Sequence, residues 1–298
     1  MTDILFKRRM DSGAGSSGRG RTMPPPVQIG LDQLRVDLPG FSLQDICLDI
    51  REKDFFALIG PTGSGKSLLL EAMVGLIPVS GGRILLKGCQ INRLPVEKRK
   101  LAIVYQDFAL FPHLDVTRNI LYGIGYHGIG KKEARNRFDR LVATLGLERI
   151  LDRRPDTLSG GEKQRTALAR SLILNPEVLL LDEPLSALDP VFHEEAKKLL
   201  KAIHEQMDIT IVMVSHDFAD VLFLAGRGAV IRDGRIIQQG RVDDLFERPV
   251  SEFTAQFVGM KNLSKFRPGE DCLYLGEDPG IRVVPARMPG PDARTMGI

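Results

Sequence analysis

The eight residues Gly60–Ser67, GPTGSGKS, constrain the fold of this chain more than any other stretch of it. They satisfy the spacing GxxxxGK[ST]. An apolar run with strand character, FFALIG (55–60), precedes them, and a helical stretch, SLLLEAMVGLI, follows. Glycines at this spacing let successive backbone N–H groups turn inward around a phosphate chain at the positive end of a helix. Lys66 then reaches the β- and γ-phosphates, and the Ser67 hydroxyl can ligate Mg²⁺. Chance matches to the spacing usually lack the flanking strand and helix. Gly60, Pro61, Thr62, Gly63, Ser64, Gly65, Lys66 and Ser67 therefore read as a nucleotide phosphate loop.

A phosphate loop of this kind needs a sheet behind it, and the rest of the sequence supplies one. LAIVYQ (101–106), VLLLD (178–182) and TIVMVSH (210–216) are short apolar runs that alternate with helical stretches. Unbroken apolarity from Val178 to Leu181 fits strands covered on both faces, and the alternation implies an α/β fold with a largely parallel sheet flanked by helices. In AVIRDGRIIQQG, Asp233 and Gly234 separate two strand-like runs, which predicts a tight hairpin. Residues from about 107 to 170 read as helical without clear strands, and so as a lobe of their own. At 298 residues and 43% hydrophobic content the chain can bury a substantial core.

Two further stretches carry chemistry. In LLLDEP, a buried strand ends in adjacent carboxylates, Asp182 and Glu183. At the carboxyl end of a parallel strand both can reach the crevice where ligands bind. There Asp182 would hold Mg²⁺ through water and Glu183 would orient and deprotonate an attacking water. The other reading is a polar strand end that starts a turn. In LSGGEKQR, Ser159 and Glu162 form a capping box at a helix start, with Ala167, Leu168, Leu172 and Leu174 marking one apolar face. Gly160 and Gly161 cost that first turn about 1 kcal/mol each relative to alanine. They are either incidental or there to bring bare N–H groups close to an anion.

Charge and cysteines narrow the function classes. The first 22 residues hold five basic and two acidic side chains, which accounts for the whole net charge of +3; the remainder is balanced at 36 of each sign. A neutral body gives no case for nucleic-acid binding. Cys47, Cys89 and Cys272 are too widely spaced for a metal site and predict reduced thiols in a cytosolic protein. MTDILFKRRM has no apolar core of a secretory signal. No apolar run approaches the roughly 18 residues that span a bilayer, so work at a membrane requires another chain to supply the span. Residues 1–26, Gly/Ser-rich and then Pro-rich, predict a disordered extension. Residues 260–298 contain short β-like pieces with too little apolar content for a core of their own, and read as part of a small β domain.

Taken together, these motifs resemble the nucleotide-binding subunit of an ATP-binding cassette (ABC) transporter. Gly60–Ser67 matches the family's Walker A, Gln106 in VYQDFALFPH its Q-loop, LSGGEKQR its signature, LLLDEP its Walker B, SALD (186–189) its D-loop and His216 in VSHD its switch histidine. All six occur in the family's order, across about residues 27–259. The resemblance implies a P-loop NTPase with a mainly parallel core sheet, an antiparallel β subdomain and a helical signature lobe, using ATP and Mg²⁺. It implies that the signature of one subunit (Ser159, Gly160, Gly161, Glu162) closes over ATP held by the Walker A of another. The chain would then pair head to tail with a second copy or a sister subunit. Glu183, His216, Gln106 and Lys66 become the catalytic group, Ser67, Gln106 and Asp182 the Mg²⁺ ligands, and Asp189 the D-loop aspartate. Gln106 would also couple the nucleotide state to the helical lobe. The implied partners are transmembrane permease subunits and, indirectly, an extracytoplasmic substrate-binding protein, with the chain at the cytoplasmic face of the membrane.

Two departures from the family pattern stand out. The aromatic that usually stacks on adenine has no clear counterpart in RVDLPGFSLQD, where Phe41 is either that platform or part of the core. Lys53 occupies a turn position commonly held by glycine, so the turn is either left-handed there, at about 1 kcal/mol, or of another shape. Chromosome-maintenance and repair ATPases with the same signature carry long coiled coils, and none is present; translation-type relatives carry two cassettes. The resemblance is nearest to importer ATPases, and the strings GPTGSGKSLLLEAMVGL and VYQDFALFPHLDV look closest to those for molybdate and tungstate. Sulfate, polyamine, iron and sugar importers use similar strings.

Overall fold

The structure, a computed structural model, describes residues 25–259 together with 266–268, 273–275 and 281–283. The expected extension at 1–26 lies almost wholly outside the described residues, as does most of 260–298. β1 (Val27–Leu38) and β2 (Phe41–Arg51) pair antiparallel. β3 (Phe55–Ile59) runs through the glycine-rich loop into α1 (Lys66–Val74). β4 (Gly81–Leu86) and β5 (Cys89–Gln90) precede β6 (Leu101–Val104). Three helices follow: α2 (Val116–Leu121), α3 (Lys131–Leu145) and α4 (Gly160–Leu172). β7 (Val178–Asp182), α5 (Pro190–Met207), β8 (Thr210–Val214) and α6 (Phe218–Leu224) continue the alternation. β9 (Arg227–Arg232), β10 (Arg235–Arg241), α7 (Val242–Glu247) and α8 (Glu252–Phe257) complete it. The last strands, β11 (Phe266–Pro268), β12 (Leu273–Leu275) and β13 (Ile281–Val283), form an antiparallel sheet of their own.

The central sheet has the order β10-β9-β3-β8-β7-β6, parallel except for β10. Its central strands β3, β8 and β7 are buried at every residue, because both faces are covered. Alternate side chains therefore enter different cores. Phe55, Ala57, Ile59, Leu179 and Leu181 pack against the helices α2 to α6, whereas Phe56, Leu58, Val178 and Leu180 pack with α1 against the antiparallel sheet β2-β1-β4-β5. Asp233 and Gly234, at φ 47° and 73°, make the two-residue turn between β9 and β10, as the sequence predicts.

Lys53 adopts φ 59°, which decides for the left-handed turn. Its amide donates to Thr210 Oγ1 (2.9 Å) and its ammonium to Asp208 Oδ2 (2.7 Å). Phe41 is half-buried against the apolar cluster of the antiparallel sheet. Its ring covers Gly65 so closely that a Cβ there would meet it at 2.9 Å.

Arg99 ties β6's approach to α1. Only 6% exposed, its guanidinium donates to the carbonyls of Leu94 (3.0 Å), Ala72 (3.2 Å), Met73 (3.0 Å) and Asn92 (2.8 Å). Two of these are late carbonyls of α1, so the side chain serves as that helix's C-terminal cap. Burial lowers its pKa without a carboxylate to oppose the shift. Arg99→Met should keep the volume but orphan four carbonyls, lowering stability by about 3 kcal/mol. A urea midpoint shifted down at unchanged m-value is the expected reading, and an unshifted midpoint removes this role.

Candidate active site

Gly60–Gly65 turns at the carboxyl end of β3, where the close approach of β9 leaves no room for a side chain. A Cβ on Gly60 would lie 2.2 Å from the Ile231 carbonyl oxygen and 2.8 Å from Ser64 Oγ. Gly65, at φ 99°, is the left-handed residue from which α1 starts. The Gly234 amide in the β9–β10 turn donates to Ser64 O (3.2 Å), bracing the loop from outside. Ser64 Oγ is buried without a hydrogen-bond partner among the described residues. Lys66, 7% exposed, donates to the carbonyls of Gly60 (2.8 Å) and Pro61 (2.9 Å). Burial pulls its pKa down, and the carboxylates of Glu183 and Asp182 pull it back up. Thr62 and Gly63 are exposed at the loop's crest. The result is a braced backbone nest at a helix N-terminus with one lysine inside it, which is an anion site by construction.

β7 and β8 bring the carboxylates and the histidine to the same edge of the sheet. Ser67 Oγ donates to Asp182 Oδ1 at 3.0 Å, and Asp182 is 8% exposed. Burial pushes the Asp182 carboxyl above its usual range; the Ser67 hydrogen bond opposes this and the neighbouring Glu183 charge adds to it. Two hard oxygen donors about 3 Å apart have the spacing of adjacent ligands around an octahedral Mg²⁺ at 2.0–2.1 Å. A desolvated carboxylate short of compensating charge fits the same cation. Glu183 sits at φ 46°, a strained value for a non-glycine residue, held by its amide's bond to Val214 O (3.1 Å). That backbone aims its Oε2 to within 3.2 Å of His216 Nδ1. The cleft beside them, about 200 Å³, is lined by Glu183, Ser186, His193, His216, Asp217 and Asp220 among others.

The signature residues do not line that cleft, although Gly160 packs against Leu188, which does. Ser159 is the N-cap of α4: its Oγ accepts from the Glu162 amide (3.3 Å) and Glu162 Oε2 accepts from the Ser159 amide (2.7 Å), so the capping box is present as expected. The first of the two glycines has a packing reason that the sequence does not disclose. A Cβ on Gly160 would lie 3.2 Å from Leu188 and one on Gly161 3.4 Å from the Phe192 ring. Gly160 lets α4 pack tightly on the segment after β7, whereas at Gly161 a methyl would make only ordinary contact. Asp189 caps α5, its Oδ1 accepting from the Phe192 amide (3.3 Å). Gln106 is exposed just beyond β6.

Comparison with known proteins follows the same outline. Residues 43–186 match the family described as ABC transporter. The spermidine/putrescine import ATP-binding protein PotA of Pseudomonas fluorescens is 42% identical over 255 residues, covering 85% of this chain and 69% of that protein. This chain belongs to the ABC transporter family. The molybdate/tungstate import ATP-binding protein WtpC of Pyrococcus horikoshii is 40% identical over 249 residues, 84% of this chain and 72% of its own length. The ATP-binding cassette MJ0796, solved as a dimer in a post-hydrolysis state bound to ADP and Pi, superposes with a TM-score of 0.64 at 28% identity, covering 72% of this chain and 98% of that one. The chain is accordingly an ABC ATPase, an enzyme that hydrolyses ATP in the service of transport.

This ABC ATPase also uses residues that motif reading passes over. Arg170 on α4 donates to the carbonyls of Phe108 (3.1 Å) and Ala109 (2.8 Å), both at positive φ, and stacks 5.0 Å from the Phe111 ring. The loop after Gln106 is thereby fastened to the helix that begins with the signature. Asn119, fully buried, donates to the carbonyls of Phe111, Leu114 and Asp115 and accepts from the Phe111 amide. Gln164 reaches Pro184 O (3.0 Å), joining α4 to the turn after Glu183. For Arg170 and Gln164, carbonyl partners 20 or more residues away leave no signal in the sequence.

Proposed function

We propose that this chain is the ATP-hydrolysing subunit of an importer, that it works as a head-to-tail pair, and that its cargo is molybdate or tungstate. The observation that carries the enzymatic part is the convergence at one sheet edge of the phosphate loop, the Ser67–Asp182 pair and the Glu183–His216 pair. In this reading the loop amides and Lys66 bind the β- and γ-phosphates, with Lys66 exchanging its carbonyl partners for phosphate oxygens. Ser67, Asp182 and Gln106 would hold Mg²⁺, which would neutralise phosphate charge when bound. Glu183 orients the attacking water and takes its proton on the carboxylate, and His216, beside it, contacts the γ-phosphate.

The pairing is supported by the distribution of parts: each chain carries one phosphate loop and one signature, and Ser159–Glu162 do not line the cleft of their own chain. The related MJ0796 cassette is a dimer. A partner's Ser159, Gly160 and Gly161 would supply preorganised donors to charge developing on the γ-phosphate, and Asp189 would lie at the same seam. No helix among the described residues is long and apolar enough to cross a membrane. Separate permease subunits then supply the span and hold this chain at the cytoplasmic face, with an extracytoplasmic binding protein delivering cargo.

The oxyanion reading draws on the likeness to WtpC, and the likeness to PotA favours polyamine as the rival. Deleting the gene and measuring uptake of labelled molybdate and spermidine separates them. Molybdate uptake should fall and be restored by the wild-type chain but not by Glu183→Gln. Loss confined to spermidine transfers the cargo to polyamine, and loss of neither overturns both readings.

A further inference from the structure

α5 begins directly after Asp189 and α6 directly after His216–Asp217, so the first turns of these helices carry the two loops that flank the cleft. Those turns meet. His193 Nε2 lies 3.0 Å from Asp220 Oδ2, and with Asp217 they form a trio whose candidate ligand atoms all lie within 4.8 Å of one another. A histidine bonded to a carboxylate is ordinarily a structural pair. Here a second observation points to a ligand. Asp220 is 2% exposed, yet its other oxygen, Oδ1, is buried with no hydrogen-bond partner among the described residues. Among the described residues, Lys197 Nζ forms an ion pair with it at 3.7 Å but gives its hydrogen bond to Glu194 Oε1 (2.5 Å). A buried carboxylate oxygen with no hydrogen-bond donor and only a longer-range ion pair keeps part of its desolvation penalty. Consistently, burial pushes the Asp220 carboxyl above its ordinary range and the Asp217 charge adds to this, with His193 and Lys197 offsetting only part.

We propose that His193, Asp217 and Asp220 bind a borderline first-row divalent cation, Zn²⁺ by their donor set, at a site separate from the Mg²⁺ ligands. One imidazole and two carboxylates match the N/O chemistry of Zn²⁺, whereas Mg²⁺ demands about six oxygens in near-ideal geometry. Three protein ligands with water in the fourth position complete a tetrahedral shell. Ligand atoms in such a shell lie about 3.3 Å apart, so the His193–Asp220 pair is already close to the required spacing and Asp217 must move inward. It is free to do so. Asp217 is exposed and caps α6 through Oδ1 alone, which accepts from the amides of Ala219 (2.7 Å) and Asp220 (3.2 Å). Asp217 and Asp220 together match the charge of the cation, and Lys197, though 3.7 Å from Asp220 Oδ1, gives its hydrogen bond to Glu194. Bound there, Zn²⁺ would staple the segment after the D-loop to the segment after the switch histidine and restrain His216, whose neighbour is a ligand. Zinc would thus slow hydrolysis.

The test is calorimetric titration of the nucleotide-free full chain with Zn²⁺ in excess Mg²⁺, its thiols alkylated because Cys47 and Cys89 are exposed. The wild type should bind one Zn²⁺, and Co²⁺ in its place should give visible d–d absorption. His193→Gln should weaken Zn²⁺ binding by at least about 10- to 100-fold and abolish the Co²⁺ band. Asp217→Asn, which keeps the helix cap, should also weaken binding, and it serves if His193→Gln does not fold. His216→Ala should still bind. No Zn²⁺ binding by the wild type, or undiminished affinity in both variants, overturns the proposal. So does loss in His216→Ala with retention in His193→Gln, which would move the metal to the Glu183–His216 pair. Because the readout is metal binding without nucleotide, its outcome is independent of the role given to Glu183.

Discussion

Glu183→Gln should bind ATP as the wild type does and hydrolyse it about 10²- to 10⁴-fold more slowly. The amide has the shape of the carboxylate, and the backbone that aims it is fixed by the bond to Val214 O, which does not involve the side chain. What disappears is the carboxylate that takes the proton of the attacking water. The phosphate loop keeps its amides, Lys66 and the Ser67–Asp182 pair. Equilibrium nucleotide binding and single-turnover hydrolysis separate the two effects. If closure of a pair precedes cleavage, the variant with ATP should accumulate as a dimer. Adding Ser159→Trp should abolish that dimer without changing the nucleotide affinity of the single chain, since Ser159 is exposed and its hydrogen bonds run to Glu162 in the capping box. Normal turnover by Glu183→Gln removes it from the mechanism, and a dimer that survives Ser159→Trp removes the signature from the interface.

The contrast between Glu183 and Arg170 shows what the sequence makes legible. Asp182 and Glu183 close an unbroken apolar strand, and buried parallel strands announce both their identity and the end at which chemistry occurs. The phosphate loop, the capping box at Ser159 and the Asp233–Gly234 turn are equally local, and each is found where its spacing predicts. β1 is not local in this sense. Its register shifts near Leu31 and Leu34, with Gln33 at φ 49°, break the period-two pattern, so the antiparallel sheet follows from the family resemblance and not from alternation. Arg99, Asn119 and Arg170 act on backbone carbonyls, whose positions no side-chain pattern encodes. Gly160 and Gly161 show a related limit: the sequence marks glycines at a helix start, but only the fold brings Leu188 and Phe192 against them. His193 is the same case at the cleft, since its partner Asp220 is 27 residues away.

Gly60→Ala tests how far the phosphate loop depends on the sheet behind it. The added methyl would lie 2.2 Å from the Ile231 carbonyl oxygen, and neither side can yield easily. Ile231 is fully buried and paired with Ile236 across the hairpin, while Ile59, just before the loop, is paired with Val230. The strain must therefore push the loop outward, breaking the Lys66 bond to Gly60 O and opening the amide nest. Overpacking of this kind costs about 1–3 kcal/mol of stability, and backbone shifts place this variant at the upper end. Nucleotide affinity should fall by roughly 100-fold, since about 3 kcal/mol of loop distortion must be reversed on binding. Gly63→Ala is the control. Nothing lies within 4 Å of a Cβ there, and only its φ of 79° is strained, so the cost is about 1 kcal/mol with a much smaller loss of affinity. Titration with a fluorescent ATP analogue and urea unfolding read both quantities. Equal affinities for the two variants would mean that the loop is shaped by its own glycines alone, with no support from β9.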